Sequence, residues 1–214
     1  MIKLVIFDLD GTLINSIEDL ADAMNYALDK HHFPLHEREA YNYFVGDGIA
    51  LLINRALPEA YRNPETEALI RADFSNFYAQ NYAGKTYIYA GIPETLAKLR
   101  EQGIRLAVAS NKPNEFTKLI VRHFFGTIFS AVYGNRSDVP KKPDPQIAVN
   151  IMQELGISPA ECLFVGDTNV DIYTAKAAGM RSAGCLWGFR DRQELTEAGA
   201  DYILDEPEAL LHCI

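Results

Sequence analysis

A doubly covered α/β fold with a parallel sheet is predicted by three observations on this 214-residue chain. Short apolar runs rich in β-formers recur along it, helical patterns separate most of them, and one long segment is helical throughout. Leu4-Val5-Ile6-Phe7 and Leu163-Phe164-Val165 are nearly continuous apolar runs, as central strands buried on both faces require. Strands are expected at 3–7, 104–109, 131–133, 162–165, 181–186 and 201–204, with helices at 92–102, 113–123, 145–155 and 169–178. Such alternation implies a parallel sheet with helices on both sides. Asp144-Pro145 reads as an N-cap followed by proline at the first helical position, and Gly179 as a helix C-terminal glycine.

The segment from Ser16 to about Asn81 breaks this rhythm, for it carries no strand pattern. Ile17, Leu20, Ala21, Met24 and Leu28 fall on one helical face, and Ser16 with Asp19 reads as a capping pair. Further helices are expected near 37–44, 48–57 and 64–81. The economical organisation is an α/β domain of residues 1–14 and 84–214, interrupted by a four-helix insert of residues 15–83.

Composition narrows the function. Apolar residues at 48% and charged ones at 23% are ordinary globular values. No run approaches the ~18 apolar residues of a membrane span, and the first apolar run meets Asp8 too early for a signal-peptide core. Three scattered cysteines, Cys162, Cys185 and Cys213, suit a reducing compartment, so a cytoplasmic location is expected. A net charge of −9 argues against a nucleic-acid partner but leaves room for a small phosphorylated one. Monomer or homodimer is the ordinary expectation for such a chain.

Ligands of open α/β sheets bind beyond the carboxyl ends of the strands, so the residues there matter most. Asp8-Leu9-Asp10-Gly11-Thr12 follows the first strand, and Ser110-Asn111-Lys112 the second. Lys141-Lys142-Pro143 lies beyond the third, and Gly166-Asp167, with Asp171 a turn later, follows the fourth. Two carboxylates about 5 Å apart repel by roughly 3 kcal/mol at an effective dielectric near 20. Asp8, Asp10, Asp167 and Asp171 brought to one rim therefore need a cation, or some must stay protonated. An oxygen-only donor set favours a hard ion, and Mg²⁺ commonly combines carboxylates with water and substrate phosphate. Ser110, Asn111 and Lys142 add hydrogen-bond donors and charge suited to phosphate oxygens, which makes this a phosphoryl-transfer site.

These four stretches, in order and at strand ends, resemble the motifs of the haloacid dehalogenase (HAD) superfamily over nearly the whole chain. Ser16-Ile17-Glu18-Asp19-Leu20 with Asn25, Val45-Gly46-Asp47-Gly48, and residues 184–190 followed by Gly199-Ala200-Asp201-Tyr202 are similar to its phosphoglycolate phosphatase-like branch. The resemblance implies a HAD-like Rossmannoid core with a small α-helical cap, and a Mg²⁺-dependent phosphomonoester hydrolase. It implies Asp8 as the nucleophile that forms an aspartyl-phosphate, and Asp10 as the group that protonates the leaving alkoxide and then activates water. It further implies metal ligation by Asp8, the Asp10 carbonyl and Asp167, with Asp171 orienting a metal-bound water or Lys142. Thr12, Ser110, Asn111 and Lys142 would hold the phosphoryl group, Asn111 through its side chain or its backbone. Gly46, Asp47 and Gly48 would form the substrate-specificity loop, unless the glycines only serve turns between helices. Asn15 departs from the branch, which usually has Asp there, yet Asn can still accept a hydrogen bond at a helix start.

Other features have plainer readings. His31-His32 reads as an exposed helix end, the helically spaced Phe74, Phe77, Tyr78 and Tyr82 as core of the insert, and Cys162 and Cys185 as core of the sheet. The loop Trp187-Gly188-Phe189-Arg190 receives no role. The rivals to a small-metabolite phosphatase are a nucleotidase or pyrophosphatase with the same motifs, or a non-catalytic phosphate- or metal-binding regulator.

Overall fold

The computed structural model describes all 214 residues. The first part of the chain forms β1 (Leu4–Phe7), β2 (Ile14–Asn15), α1 (Ile17–Lys30), α2 (Arg38–Phe44), α3 (Ile49–Ala56), α4 (Pro64–Asn81) and β3 (Tyr87–Ile88). There follow α5 (Ile92–Glu101), β4 (Arg105–Pro113), α6 (Asn114–Phe125), β5 (Ala131–Asn135), α7 (Gln146–Leu155) and β6 (Cys162–Gly166). The chain closes with α8 (Asn169–Ala177), β7 (Arg181–Cys185), α9 (Arg192–Glu197), β8 (Tyr202–Leu204) and a 3₁₀ helix, Pro207–Cys213. These elements divide into two compact units, Met1–Ile14 with Ile88–Ile214, and Asn15–Tyr87.

The first unit is the expected parallel α/β layer. Its six strands run in the order β5-β4-β1-β6-β7-β8, and every pairing is parallel. This is the doubly wound order, and the direction of winding reverses between β1 and β6, where such sheets bind ligands beyond their carboxyl ends. β1 sits there because its four residues are apolar and wholly buried. Under one face, Leu4, Ile6, Ala107, Ala109 and Phe164 pack with Ile147, Ile151 and Met152 of α7.

β4 runs four residues beyond its expected end, and its register against β5 shifts between Ala109 and Pro113. The shift bulges Ser110, Asn111 and Lys112 out of the regular ladder while all three stay buried. Bulges of this kind re-aim side chains next to active sites, and polar residues in a strand give no hydrophobic signal of it. α9 also lies outside the sequence expectation, since six residues with one buried apolar side chain, Leu195, show no period. Asp144 is not the N-cap of α7. Pro145 holds that position, while the Asp144 carboxylate accepts from the Gln146 amide at 2.9 Å.

The second unit is helical, with Met24, Ala27 and Leu28 of α1 and Ile70, Phe74 and Tyr78 of α4 buried. Phe74 stacks on Tyr78 in the core, whereas Phe77, stacked on the exposed Tyr26, and Tyr82 are only half-buried, so two of the four expected aromatics are core. α4 starts where Asn63 accepts from the Thr66 amide at 3.0 Å and Pro64 takes the first turn. His31 ends α1 and pairs with Asp73 at 2.8 Å instead of fraying.

The start of α1 differs from expectation in an instructive way. Ser16 occupies the N-cap without a side-chain cap, and Asn15 Oδ1 accepts from the Ile17 amide at 3.2 Å. Asp19, buried, turns instead to the end of the unit. Its carboxylate accepts from the amides of Lys85 and Thr86, and from the Thr86 hydroxyl at 2.6 Å. That clamp keeps residues 84–87 with the helical unit, so the boundary falls after Tyr87 rather than before residue 84. Asp19→Ala strands the buried Thr86 amide and hydroxyl, at about 1–3 kcal/mol each, and releases the part-buried Lys85 amide to solvent. Urea unfolding should show a loss on the order of 3 kcal/mol for Asp19→Ala, and a neutral result would remove the clamp.

Cys162, Cys185 and Cys213 are all free and buried, Cys213 at the end of the closing 3₁₀ helix. No helix is long and apolar enough to cross a membrane.

Candidate active site

The carboxyl edge of β1 and β6 gathers the acidic residues of two distant stretches. Asp8 directly follows β1, Asp167 directly follows β6, and Asp171 lies in the first turn of α8. One carboxylate oxygen from each of these three buried residues lies within 4.8 Å of the others. Lys142, 1% exposed, donates to Asp171 Oδ1 at 2.7 Å and pairs with Asp8 Oδ1 at 2.8 Å.

Local structure holds each carboxylate by a separate device. Asp167 Oδ1 accepts from the Thr12 hydroxyl at 3.0 Å, and Oδ2 from the Phe189 amide at 2.9 Å. Gly11 is obligatory beside it: φ is +91°, and a Cβ there would lie 2.3 Å from Asp167 Oδ2. Gly188 makes room in the same way, since its Cβ would meet Asp167 Cβ at 2.3 Å. Asp171 Oδ2 closes a capping box by accepting from the amide and hydroxyl of Thr168. Both Asp171 oxygens are thus engaged, and its conspicuous role is to orient Lys142.

Two side chains expected to face phosphate have protein partners, which for Asn111 leaves its backbone as the group for that role. Thr12 is fully buried and spends its hydroxyl on Asp167, so it braces a carboxylate instead of offering a donor to phosphate. Asn111 makes a reciprocal pair with the backbone of Lys142, donating to its carbonyl at 3.1 Å and accepting from its amide at 2.9 Å. Its side chain therefore sets the position of Lys142. Ser110 is buried at the bulge, where its hydroxyl accepts from the Lys112 amide at 3.2 Å.

Sequence reasoning passed over three participants. Lys112 donates to both oxygens of Asp10, at 3.1 and 3.0 Å. Phe189 lends its amide to Asp167, and Trp187 anchors the same loop by donating to the Thr12 carbonyl at 2.9 Å. Lys112 could have been found by its place immediately after Ser110-Asn111. The Phe189 contact is made by its main-chain amide and leaves no trace in residue type, whereas the Trp187 contact uses its indole Nε1, a donor only tryptophan supplies.

Electrostatics decides what the cluster can hold. Burial, helped by Asp171 and Asp10 and opposed by Lys142, pushes Asp8 up to about 7. Burial with Asp171 and Asp8 pushes Asp167 up to about 8 against the Phe189 and Thr12 hydrogen bonds. Burial alone would lower Lys142, but Asp171 and Asp8 outweigh it and hold the ammonium firmly protonated. With all four carboxyl groups ionised, the two ammonium groups of Lys142 and Lys112 would leave two negative charges uncompensated, which is why burial favours protons there until a cation replaces them. The donors are all oxygen, so the residues fit one hard divalent cation.

A pH effect follows from those shifts. The folded protein retains protons on Asp8 and Asp167 that the unfolded chain releases near the ordinary carboxyl value of 3.8. Where the native state binds more protons, stability falls as pH rises. Without divalent cation the melting temperature should therefore drop between about pH 4 and pH 8, and added cation should raise it more at the upper end. Thermal melts across that range, with and without cation, check this. A flat, cation-independent profile would contradict the site.

In the helical unit, the segment Gly46-Asp47-Gly48 is a turn with positive φ at Gly46 (+120°) and Gly48 (+86°). Asp47 pairs with Arg55 at 2.6 Å, while the same guanidinium donates to the carbonyls of Tyr43 and Phe44. Arg55 staples the loop to the end of α2.

A doubly wound sheet with a carboxylate-bearing turn after its first strand and a buried lysine beside it defines a class of α/β proteins built for phosphate chemistry. The model of the haloacid dehalogenase-like hydrolase family matches residues 2–179, and the chain belongs to that family. It is 36% identical over 220 residues to a phosphoglycolate phosphatase of Vibrio vulnificus, covering 100% of this chain and 96% of that one. A phosphoglycolate phosphatase of Pseudomonas putida is 35% identical over 214 residues, with 98% of this chain and 78% of the relative covered. A Lactobacillus delbrueckii subsp. bulgaricus crystal structure superposes with a TM-score of 0.93 at 30% identity, covering 99% of this chain and 98% of the other.

Proposed function

We propose that this phosphatase hydrolyses a small phosphomonoester, phosphoglycolate being the first candidate, through an aspartyl-phosphate on Asp8. The observation that carries the reading is the buried ion-paired cluster at the β1–β6 switch point, with Asp8 at its centre and Lys142 beside it. In the first half-reaction an Asp8 oxygen attacks phosphorus, the bond to the leaving oxygen breaks, and Asp10 gives that oxygen its proton. In the second, Asp10 takes a proton from water as the water oxygen attacks phosphorus, releasing Asp8 and inorganic phosphate. Lys142, held by Asp171 and by the Asn111 pairing, supplies positive charge for the phosphoryl oxygens, and Ser110 a hydroxyl. Asp8, Asp167 and the Asp10 carbonyl are assigned to Mg²⁺, which supplies charge neutralisation at the transferring group.

The helical unit is assigned the part of a cap that selects the leaving group, with Gly46, Asp47 and Gly48 as its specificity loop. Phosphoglycolate as substrate is supported by the names of relatives that share the full length of the chain. The core residues read the phosphoryl group and do not distinguish leaving groups. The test is kcat/KM with Mg²⁺ over phosphoglycolate, sugar phosphates, nucleotides and pyrophosphate. Phosphoglycolate should lead the panel, and a nucleotide or pyrophosphate ahead of it would reassign the substrate.

A further inference from the structure

Lys112 is the one strongly engaged side chain of the edge to which the proposed reaction gives no task. It issues from the β4 bulge, and its backbone is tied down on both sides: its amide donates to Ser110 Oγ and its carbonyl accepts from Thr117 Oγ1 at 3.1 Å. Gly134 presses on the same carbonyl so closely that a Cβ there would lie 2.7 Å from it. From this fixed base the ammonium reaches Asp10, and the side chains are only 5% and 11% exposed.

A surface ion pair of this kind would need no further account, since most contribute little. A buried one is different, because taking an ammonium out of water costs several kcal/mol unless the geometry is good. Here the geometry is specific, with both carboxylate oxygens contacted at nearly equal distance. The two lysines divide the acids between them: Lys142 takes Asp8 and Asp171, and Lys112 takes Asp10. A protonated carboxyl keeps acceptor capacity beside its one O–H donor, so Lys112 can hold Asp10 while that O–H faces the leaving oxygen, and once ionised Asp10 has sites left for water.

We propose that Lys112 is a positioning residue for the reaction: by holding both Asp10 oxygens it aims the group that serves the leaving oxygen and then the water. This rests on the assignment of Asp10 above and deepens it. Misplacing a reacting group by about 1 Å can cost ~10²-fold in rate, and the loss must appear only where proton transfer matters.

The experiment compares Lys112→Met with wild type on two substrates, phosphoglycolate and p-nitrophenyl phosphate, reading kcat/KM, which ends at departure of the leaving group. An alkoxide needs a proton as it departs; nitrophenolate does not. The expected result is a loss on the order of 10²-fold for phosphoglycolate and within about threefold for the aryl ester. Lys112→Arg, which keeps a paired donor, should recover most of the phosphoglycolate rate. Equal losses on both substrates would overturn the proposal and make Lys112 a general charge for binding. Asp10→Asn with and without Lys112→Met provides a second reading, in which the double variant removes both charges of the buried pair at once. The two should have the same kcat/KM for the aryl ester, and a further drop in the double variant would also overturn it. Failure of wild type to hydrolyse either ester would instead strike the functional reading itself.

Discussion

Asp8→Asn abolishes phosphate release from every substrate the wild type accepts, by at least about 10⁴-fold in kcat, and leaves the protein folded. The substitution keeps the shape of the side chain and an oxygen that can accept from Lys142, which lies 2.8 Å from Asp8 Oδ1. What it removes is the anionic oxygen that would attack phosphorus. It also removes a carboxyl that burial holds at about 7, so the sign of the stability effect is fixed. At about pH 8 in the absence of divalent cation, the wild type carries an ionised Asp8 that its surroundings disfavour, whereas the carboxamide of the variant stays neutral. The variant should therefore be catalytically dead yet melt higher than wild type under those conditions. Below about pH 5, where Asp8 is protonated in the fold, the two melts should converge. Phosphate release with and without the substitution, paired with the melts, separates loss of the nucleophile from loss of the fold. Residual turnover above a few per cent would remove Asp8 from the chemistry. If wild type and variant were equally inert across the phosphomonoester panel, a binding role would replace the enzyme.

Most of the sheet was legible because a strand buried on both faces writes its burial into consecutive apolar residues, as Leu4–Phe7 and Leu163–Val165 do. The acids were legible for a related reason, since the end of such a strand is marked by the first charge, Asp8 or Asp167. What escaped was encoded by pairing rather than by residue type. Asn111 and Thr12 offer donors that suit phosphate equally well in sequence, but in space Asn111 meets the Lys142 backbone and Thr12 meets Asp167. Asp19 likewise reads as part of a helix cap until the segment leading into β3 presents it with two amides and a hydroxyl. β2 and β3, two residues each, are too short for any period to appear. Phe189 reaches Asp167 through its main-chain amide, which every sequence possesses, and the Trp187 indole finds its acceptor, the Thr12 carbonyl, only across the fold. Local pattern thus located the edge and its charges, and long-range hydrogen bonds decided which group each polar residue serves.

Lys142→Met is expected to be the most damaging single change to stability at this edge. The wild-type ammonium is buried between Asp8 and Asp171, and the Asn111 pairing fixes its backbone. Methionine fills the space but leaves two buried carboxylates without their shared cation. Breaking a buried pair by removing one partner costs about 3–5 kcal/mol, which in a chain of this size lowers the melting temperature by roughly 10 °C. The penalty has a pH signature. Asp8, already held at about 7 with Lys142 present, loses the group that most favours its ionised form. Its proton is then retained to still higher pH, so the native state binds more protons than the unfolded chain over a wider range and stability falls further as pH rises. Urea unfolding should therefore show a larger difference between Lys142→Met and wild type near pH 8 than near pH 5. Adding Asp8→Asn to Lys142→Met should restore part of the stability lost, because one stranded charge has been neutralised, while activity stays absent. An additive double variant would mean that Lys142 and Asp8 do not act on each other, and the edge would then be an assembly of unrelated charges rather than one site.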